Sequence, residues 1–506
     1  MQLHEKFIKV AKSNSNKIAI YDSAMDREIT YGKLLIASLM LSKKFDKYKG
    51  EHLGIMIPNS IGAAVSILAT LMAGKVPVMI NYSTGASENC RYAQEKCSFR
   101  PIITSKKLLE KLGAEFIDGM IYIEDIMDEI NLKHKLFSAV KSKLPSFLLK
   151  KLVHIGSEDE GSVILFTSGS EKDPKAVELT HKSILHNIRT VPNRFQFTPK
   201  DIFLSNLPFF HVFGLTTTFW IPILGANKII TQPNPLKFGE VCDLVKKHQV
   251  TIMIGTPSFF YGYLKKSDPG DFKSVRLAVT GADKLHDIVR KGYRERHDVE
   301  IYEGYGTTET SPVISVNPPE KNKPGSIGPP LDGVQVKIQD LKTGETLPTN
   351  SQGKIMVKGD LVMKGYYGDV EETSLHIKNG WYDTGDMGLI DEDGYLWHKG
   401  RLRRFVKVGG EMVSLVKVEA ELEKLLPKEA VCCVVDVPNP TKGADIVAAV
   451  TTEEIDERKI KKYLRKKLPK IAIPKAFHVI QDIPMMGTGK VNFREVETIC
   501  RKLEEE

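Results

Sequence analysis

Short apolar runs alternate along the chain with stretches whose apolar positions fall at helical spacing. HLGIMIP at 52–58, RPIITS at 100–105, VILF at 163–166, TIMIGTP at 251–257 and VRLAVTG at 275–281 read as strands. Strands separated by helical patterns predict an α/β fold built on parallel sheets. The longest apolar stretch, 61–73, is broken by Gly62 and Ser66 and soon followed by Lys75. It is too short to span a bilayer and reads as a buried helix. After Gly325 the pattern shortens to VQVKI, GKIMVKG and GYLWHKG, small strands between turns, which predict a β-rich subdomain over about 325–400. No internal repeat or low-complexity tract interrupts it.

With 506 residues, 42% of them hydrophobic, the chain exceeds what one core can hold. The amphipathic first seventeen residues carry no signal-peptide core. Cys90, Cys97, Cys242, Cys432, Cys433 and Cys500 show no ligand spacing, so reduced, structural thiols and a cytoplasmic location are expected. The formal charge of +9 points to an anionic partner. No nucleic-acid motif and no interleaving of basic and aromatic residues accompanies it, which excludes nucleic acid. An acidic protein or a peripheral contact with an anionic membrane is left. Two lysine-rich segments, 133–151 and 461–470, are the candidate surfaces, and a solvated or self-packed helix is the plain alternative for each.

Candidate chemistry begins at FTSGSEKDPKAVELTH, 166–181. Thr167, Ser168, Gly169 and Ser170 follow a strand and precede Pro174 and Lys175. Small residues let amides and hydroxyls converge on phosphate oxygens, and the lysine adds a mobile charge; a plain Ser/Gly surface loop stays open. The spacing is not that of GxxxxGK[ST]. In YEGYGTTET, 302–310, Glu309 stands where a dinucleotide fingerprint needs its third glycine. A Thr-Glu pair after a glycine turn suits phosphate held by hydroxyl and Mg²⁺ held by carboxylate. In WYDTGDMG, 381–388, Asp386 after a tight Thr-Gly turn can accept two ribose hydroxyls. His211 in LPFFHVFG and Lys490 in PMMGTGKVNFRE complete the set; alone, each would pass for a core histidine or a solvated lysine.

In this order, from about residue 29 to 494, the motifs resemble those of the adenylate-forming enzymes: acyl-CoA synthetases, luciferases and adenylation domains. The resemblance implies a large N-terminal domain of helix-flanked sheets with a small β-rich subdomain, residues 1–401. A small mobile α+β domain, 402–506, would swing about a hinge near Arg403, where the family has Asp or Lys. ATP and Mg²⁺ are the implied cofactors, with Glu309 as metal ligand. Thr167, Ser168, Gly169, Ser170 and Lys175 would meet phosphates. Gly281, Ala282, Glu303, Gly304, Tyr305, Gly306, Thr307 and Thr308 would line the nucleotide, and Asp386 and Arg401 the ribose. Lys490 would be the catalytic lysine, supported by Lys175, Thr308, Glu309 and His211. His211, Gly255, Thr256, Gly281 and Ala282 would border the acyl pocket, and Val408, Gly409 and Gly410 a pantetheine channel.

Glu171, Lys172 and Ala176 depart from the usual Thr, Gly and Gly. A carboxylate beside phosphates should repel them, and Ala176 lacks glycine's freedom. TSGSE, HKSIL at 181–185, RRF at 403–405 and GEMVS at 410–414 together resemble one branch, acyl-acyl-carrier-protein synthetase, also found as the C-terminal half of the bacterial 2-acylglycerophosphoethanolamine acyltransferase. That resemblance implies a fatty acid ligase whose acceptor is the phosphopantetheine of acyl carrier protein. A long-chain acyl-CoA synthetase and a non-catalytic acyl- or nucleotide-binding protein are the alternatives.

Overall fold

The computed structural model describes residues 1–129, 145–167, 174–408, 411–427, 430–439, 442–486 and 490–505. These group into two compact units. The first takes in Met1–Gly169, Asp173–Gln335 and Lys358–Tyr382; the second is essentially Val336–Val357 and Asp383–Glu506.

Every strand expected from the apolar runs is present. In the first unit His52–Ile55, Ile102–Thr104 and Gly161–Phe166 join Val76–Met79, Met120–Tyr122, Ala176–Thr180 and Gly365–Tyr366 in one sheet. A second sheet runs in the order Val313–Val316, Ile301–Gly306, Leu277–Thr280, Ile252–Gly255, Ile202–Ser205, Lys228–Thr231, Ile18–Asp22, Arg27–Thr30. Its central pairs are parallel, as strand-helix alternation requires. The apolar stretch near residue 61 is the helix Ile61–Met72, capped by Ser60, whose side chain accepts from the Ala63 amide. It is mostly apolar and buried along almost its whole length, Ser66 and Thr70 included, and it packs on Tyr31–Phe45. No helix among the described residues is long and apolar enough to cross a membrane.

The first helix, Leu3–Ser13, buries Leu3, Phe7, Ile8 and Ala11. Its start is tied down by polar groups: the Leu3 amide donates to His181 Nδ1 at 3.2 Å, and His4 Nε2 lies 2.9 Å from the His154 carbonyl. Burial lowers the pKa of His4 to about 4 and that of His181 to about 3. Both are neutral in the fold, whereas the unfolded chain gains protons below about pH 6.5. Stability is therefore expected to fall as pH drops from 6.5 towards 4, by about 2 kcal/mol per histidine at pH 5. Urea unfolding at pH 7.5 and pH 5 checks this, with a double His→Gln variant losing less between the two. Equal midpoints for the wild type would refute it.

Of the lysine-rich segment 133–151, residues 133–144 lie outside the described residues. In the helix Ser146–Lys150 that follows, Leu149 is fully buried and Lys150 pairs with Glu5 of the first helix. These two side chains pack on the protein itself.

In the second unit, strands drawn largely from it, Gln335–Gln339, Gly353–Lys358, Trp381–Ile390 and Leu396–Arg401, form the expected β-rich part. A hairpin, Phe405–Val408 with Glu411–Ser414, follows. Then come the strands Cys432–Asn439, Gly443–Val450 and Ala476–Val479 with the helices Leu415–Leu422, Glu457–Leu464 and Phe493–Glu505. Arg404, beside the expected hinge residue, is buried, bonded to Glu419 and to the Val434 carbonyl at 2.8 Å. The Arg403 side chain lies outside the described residues, as do Gly409 and Gly410.

Candidate active site

Parallel strands place their C-terminal ends together, and the crevice outside those ends is where such sheets bind ligands. In the second sheet of the first unit the neighbouring strands Ile202–Ser205, Ile252–Gly255, Leu277–Thr280 and Ile301–Gly306 do this. The loop after the first leads to His211. The second ends at Gly255 before Thr256, which caps the helix Pro257–Lys266. The third ends before Gly281 and Ala282, and the fourth carries Glu303, Gly304, Tyr305 and Gly306. Fold topology thus collects residues that lie far apart in sequence along one edge.

The glycines here serve close packing. A Cβ on Gly214 would lie 2.4 Å from the Leu207 carbonyl oxygen, so the turn carrying His211 closes only with glycine there. The glycine pattern predicts a turn at Gly304 and Gly306, but both lie in a strand paired with Val313–Val316, with a register shift between Tyr305 and Gly306. A Cβ on Gly306 would fall 1.7 Å from the Pro312 carbonyl oxygen, which explains the residue without a turn. A Cβ on Gly255 would stand 3.3 Å from the Phe260 ring, and one on Gly281 would stand 3.4 Å from the Phe213 ring. The Glu303 carboxylate is already held by Arg290, at 2.8 Å, and by the Gly325 amide.

After Gly306, Thr307 opens a short 3₁₀ turn, Thr308–Thr310, closed by the Thr307 amide on Thr310 Oγ1 at 3.0 Å. This turn holds Glu309, 8% exposed, whose Oε1 accepts from Tyr366 Oη at 3.0 Å. Burial and the Glu309 charge push the Tyr366 phenol well up, so it remains a donor. Tyr382 is buried and raised for the same two reasons.

The hairpin of Gly161–Phe166 and Ala176–Thr180 is brought to the same place. The Thr167 amide donates to the Lys175 carbonyl and the Lys175 amide to Thr167 Oγ1, both at 3.0 Å. Residues 168–173, including Ser168, Gly169, Ser170, Glu171 and Lys172, lie outside the described residues. Ala176 begins the strand Ala176–Thr180, is fully buried, and is absent from the left-handed region, so glycine's freedom is not needed there. That strand pairs with Gly365–Tyr366, which sets the Lys175 ammonium 5.1 Å from the centre of the Tyr366 ring. Lys175, Tyr366 and Glu309 therefore form one connected set. Lys175 also bonds to Glu372.

In the second unit, Asp386 does not follow a tight turn: it lies inside the ten-residue strand Trp381–Ile390, which Gly385 bends with φ +68°. Asp386 is 2% exposed and sits opposite Arg401, whose Nε is 3.4 Å from its Oδ1. His398 Nε2 is 3.7 Å from the same oxygen. Val408 is buried. Lys490 is half-buried, its carbonyl accepting from the Met486 amide at 2.7 Å.

A metal site fits what is here only in one form. No group of three or more His, Cys, Asp or Glu among the described residues could hold an ion by itself. A single buried carboxylate, Glu309, suits Mg²⁺, which takes one or two carboxylates and completes its shell with phosphate and water.

No sequence motif contains Tyr366, Glu372 or His376, and His398 lies within GYLWHKG without being singled out there. Tyr366 and Glu372 lie between the motifs at 302–310 and 381–388; strand pairing brings in Tyr366, and the helix Val370–His376 carries Glu372.

The family model for AMP-binding enzymes matches residues 7–367, and that for the AMP-binding enzyme C-terminal domain matches 418–490. A long-chain-fatty-acid–CoA ligase of Bacillus subtilis (strain 168) is 28% identical across 95% of this chain and 90% of its own. A 4-coumarate–CoA ligase of Arabidopsis thaliana is 26% identical across 98% and 91%. Among solved structures, ATP-bound MatB from Rhodopseudomonas palustris is 25% identical with a TM-score of 0.84, covering 99% of this chain and 100% of that one. The o-succinylbenzoate CoA synthetase of Bacillus subtilis, in complex with ATP and magnesium, shares the fold at 22% identity and a TM-score of 0.81, with 97% and 98% covered. With two family models matching in order and the fold in agreement, the chain belongs to the AMP-binding, adenylate-forming enzyme family.

Proposed function

We propose that the chain is an ATP-dependent fatty acid ligase that forms an acyl-adenylate and passes the acyl group to the phosphopantetheine thiol of acyl carrier protein. The observation that supports the ligase reading is the connected set Lys175, Tyr366 and Glu309, which joins a cation to a buried carboxylate, the two kinds of group that polyphosphate and Mg²⁺ call for. The pairing of TSGSE with GEMVS carries the choice of acceptor.

In this reading a fatty acid carboxylate oxygen attacks the α-phosphorus, and the bond from that phosphorus to the pyrophosphate oxygen breaks. Lys175, Thr308 and the residues of 167–170 hold phosphate oxygens, and Asp386 and Arg401 hold the ribose. Glu309 would hold Mg²⁺, which supplies charge neutralisation on the phosphates. Lys490 offsets charge as carboxylate and phosphate approach. In the second step the carrier thiol gives its proton to water, its sulfur attacks the acyl carbonyl, and the carbonyl–oxygen bond to AMP breaks, the oxygen leaving on AMP. The domain limits 1–401 and 402–506, with Arg403 as hinge, belong to this reading: rotation would exchange Lys490 for Val408, Gly409 and Gly410. The acyl chain would lie along His211, Gly255, Thr256, Gly281 and Ala282.

A second reading, a long-chain acyl-CoA synthetase, is favoured by the Bacillus subtilis relative. The two are separated by mass spectrometry of a reaction holding MgATP, palmitate and equal amounts of holo acyl carrier protein and CoA. Acyl-carrier-protein thioester should dominate. Dominant palmitoyl-CoA would establish the second reading, and no fatty acid-dependent pyrophosphate release would sink both.

A further inference from the structure

The Lys175 side chain is about three-quarters buried, at 23% exposed, and a cation so placed needs an anion nearby. Glu372 provides it, and that bond is the main cause holding the Glu372 carboxyl below its ordinary range. The carboxylate is set in place by its own helix, Val370–His376. Asp369 Oδ1 accepts from the Glu372 amide at 2.9 Å, and the Asp369 carbonyl accepts from Thr373 Oγ1 at 2.7 Å. Thr373 Oγ1 in turn accepts from the Tyr366 amide at 2.9 Å, which locks helix to strand. One helical turn beyond Glu372, His376 Nε2 lies 3.0 Å from Glu372 Oε1 and 3.4 Å from Lys175 Nζ. The Tyr366 ring meets the His376 ring edge-on at 5.6 Å, and Tyr366 is the donor to Glu309.

We infer that Glu372 and His376 are positioning residues, a counter-ion clip that holds the Lys175 ammonium beside Tyr366 and Glu309 and that a polyphosphate must displace. The inference rests on the reading of Lys175 as a phosphate ligand. Two anions then compete for one ammonium, so the clip opposes binding of any phosphate that reaches Lys175. The opposition is overcome best by the ligand of highest negative charge. A triphosphate gains more from taking over the lysine than a monophosphate does, and an uncharged nucleoside gains nothing. The clip thus costs most to the ligand that uses the lysine most: it lowers the affinity for ATP more than that for AMP and leaves an uncharged nucleoside untouched.

The test measures binding of ATP, AMP and adenosine by calorimetry, with Mg²⁺ and without fatty acid, so that no turnover is involved. Glu372→Gln keeps the shape and removes the competing charge. It should bind ATP about 10-fold tighter, AMP with a smaller gain, and adenosine as the wild type does. On a Lys175→Gln background the same substitution should bring no gain, because the contested cation is gone. His376→Gln, which leaves the ion pair but loosens its anchor, should shift ATP affinity in the same direction by less and provides a second variant. ATP affinity unchanged in Glu372→Gln, or a gain that persists without Lys175, overturns the clip. Weaker ATP binding in Glu372→Gln overturns it too, and would mean that the carboxylate itself serves metal or nucleotide. A wild-type chain that binds neither ATP nor AMP would instead defeat the ligase reading, and the clip with it.

Discussion

Replacing Lys490 with alanine is expected to cut fatty acid-dependent pyrophosphate release by about 10²–10³-fold. Transfer of the acyl group from a supplied acyl-adenylate to the thiol should persist. The difference arises because the first step brings a carboxylate against an anionic phosphate, and a fixed cation lowers that barrier without solvent having to reorganise. The second step has no such encounter. Lys490 is a half-buried residue whose backbone is fixed by the Met486 amide and by the bridge between Met485 and Val491. Truncating its side chain leaves these backbone bonds in place, and the melting temperature of the variant checks that the fold survives. A coupled pyrophosphate assay reads the first step and a thioester assay the second. Pyrophosphate release at the wild-type rate would remove Lys490 from the chemistry.

Glu309→Gln is expected to lower the overall rate by about 100-fold at ordinary Mg²⁺ and to raise the Mg²⁺ needed for half-maximal rate. The residue is buried and accepts a hydrogen bond from Tyr366, so the amide of glutamine fits the same space and keeps an acceptor. What is lost is the charge. Titrating MgCl₂ at saturating ATP separates this from a structural defect, because misfolded protein loses rate equally at every Mg²⁺ concentration. A wild-type Mg²⁺ profile would place the metal elsewhere.

The strands and the buried helix are legible in the sequence because each is encoded locally. A short run rich in β-branched residues and bounded by turn residues, such as 251–257, favours a strand, and the longer, mostly apolar stretch near residue 61 favours a helix covered on nearly every side. Local reading fails where a long-range pairing decides. YEGYG reads as a turn because glycines usually mark turns. Here they admit the carbonyl of Pro312 against Gly306, a contact no local pattern announces. Asp386 likewise reads as a residue after a turn, although its strand runs through Gly385 with a bend. Motifs name the chemistry-bearing residues but not their supports. Tyr366 reaches Glu309 only because its strand pairs with Ala176–Thr180. His398 approaches Asp386 because the strands Trp381–Ile390 and Leu396–Arg401 lie side by side.

All six cysteines are buried, without disulfide partners. Burial raises the thiols of Cys90, Cys97 and Cys242 to about 12 and that of Cys500 to about 11. Thiolate is the reactive form, so near neutral pH these groups are almost inert towards maleimides and aromatic disulfides. For a protein whose proposed product is a thioester, this gives a quiet optical background. A thiol-reactive dye added to the running reaction would count the acceptor's free thiol alone, and its disappearance would trace product formation in real time without separating enzyme from carrier.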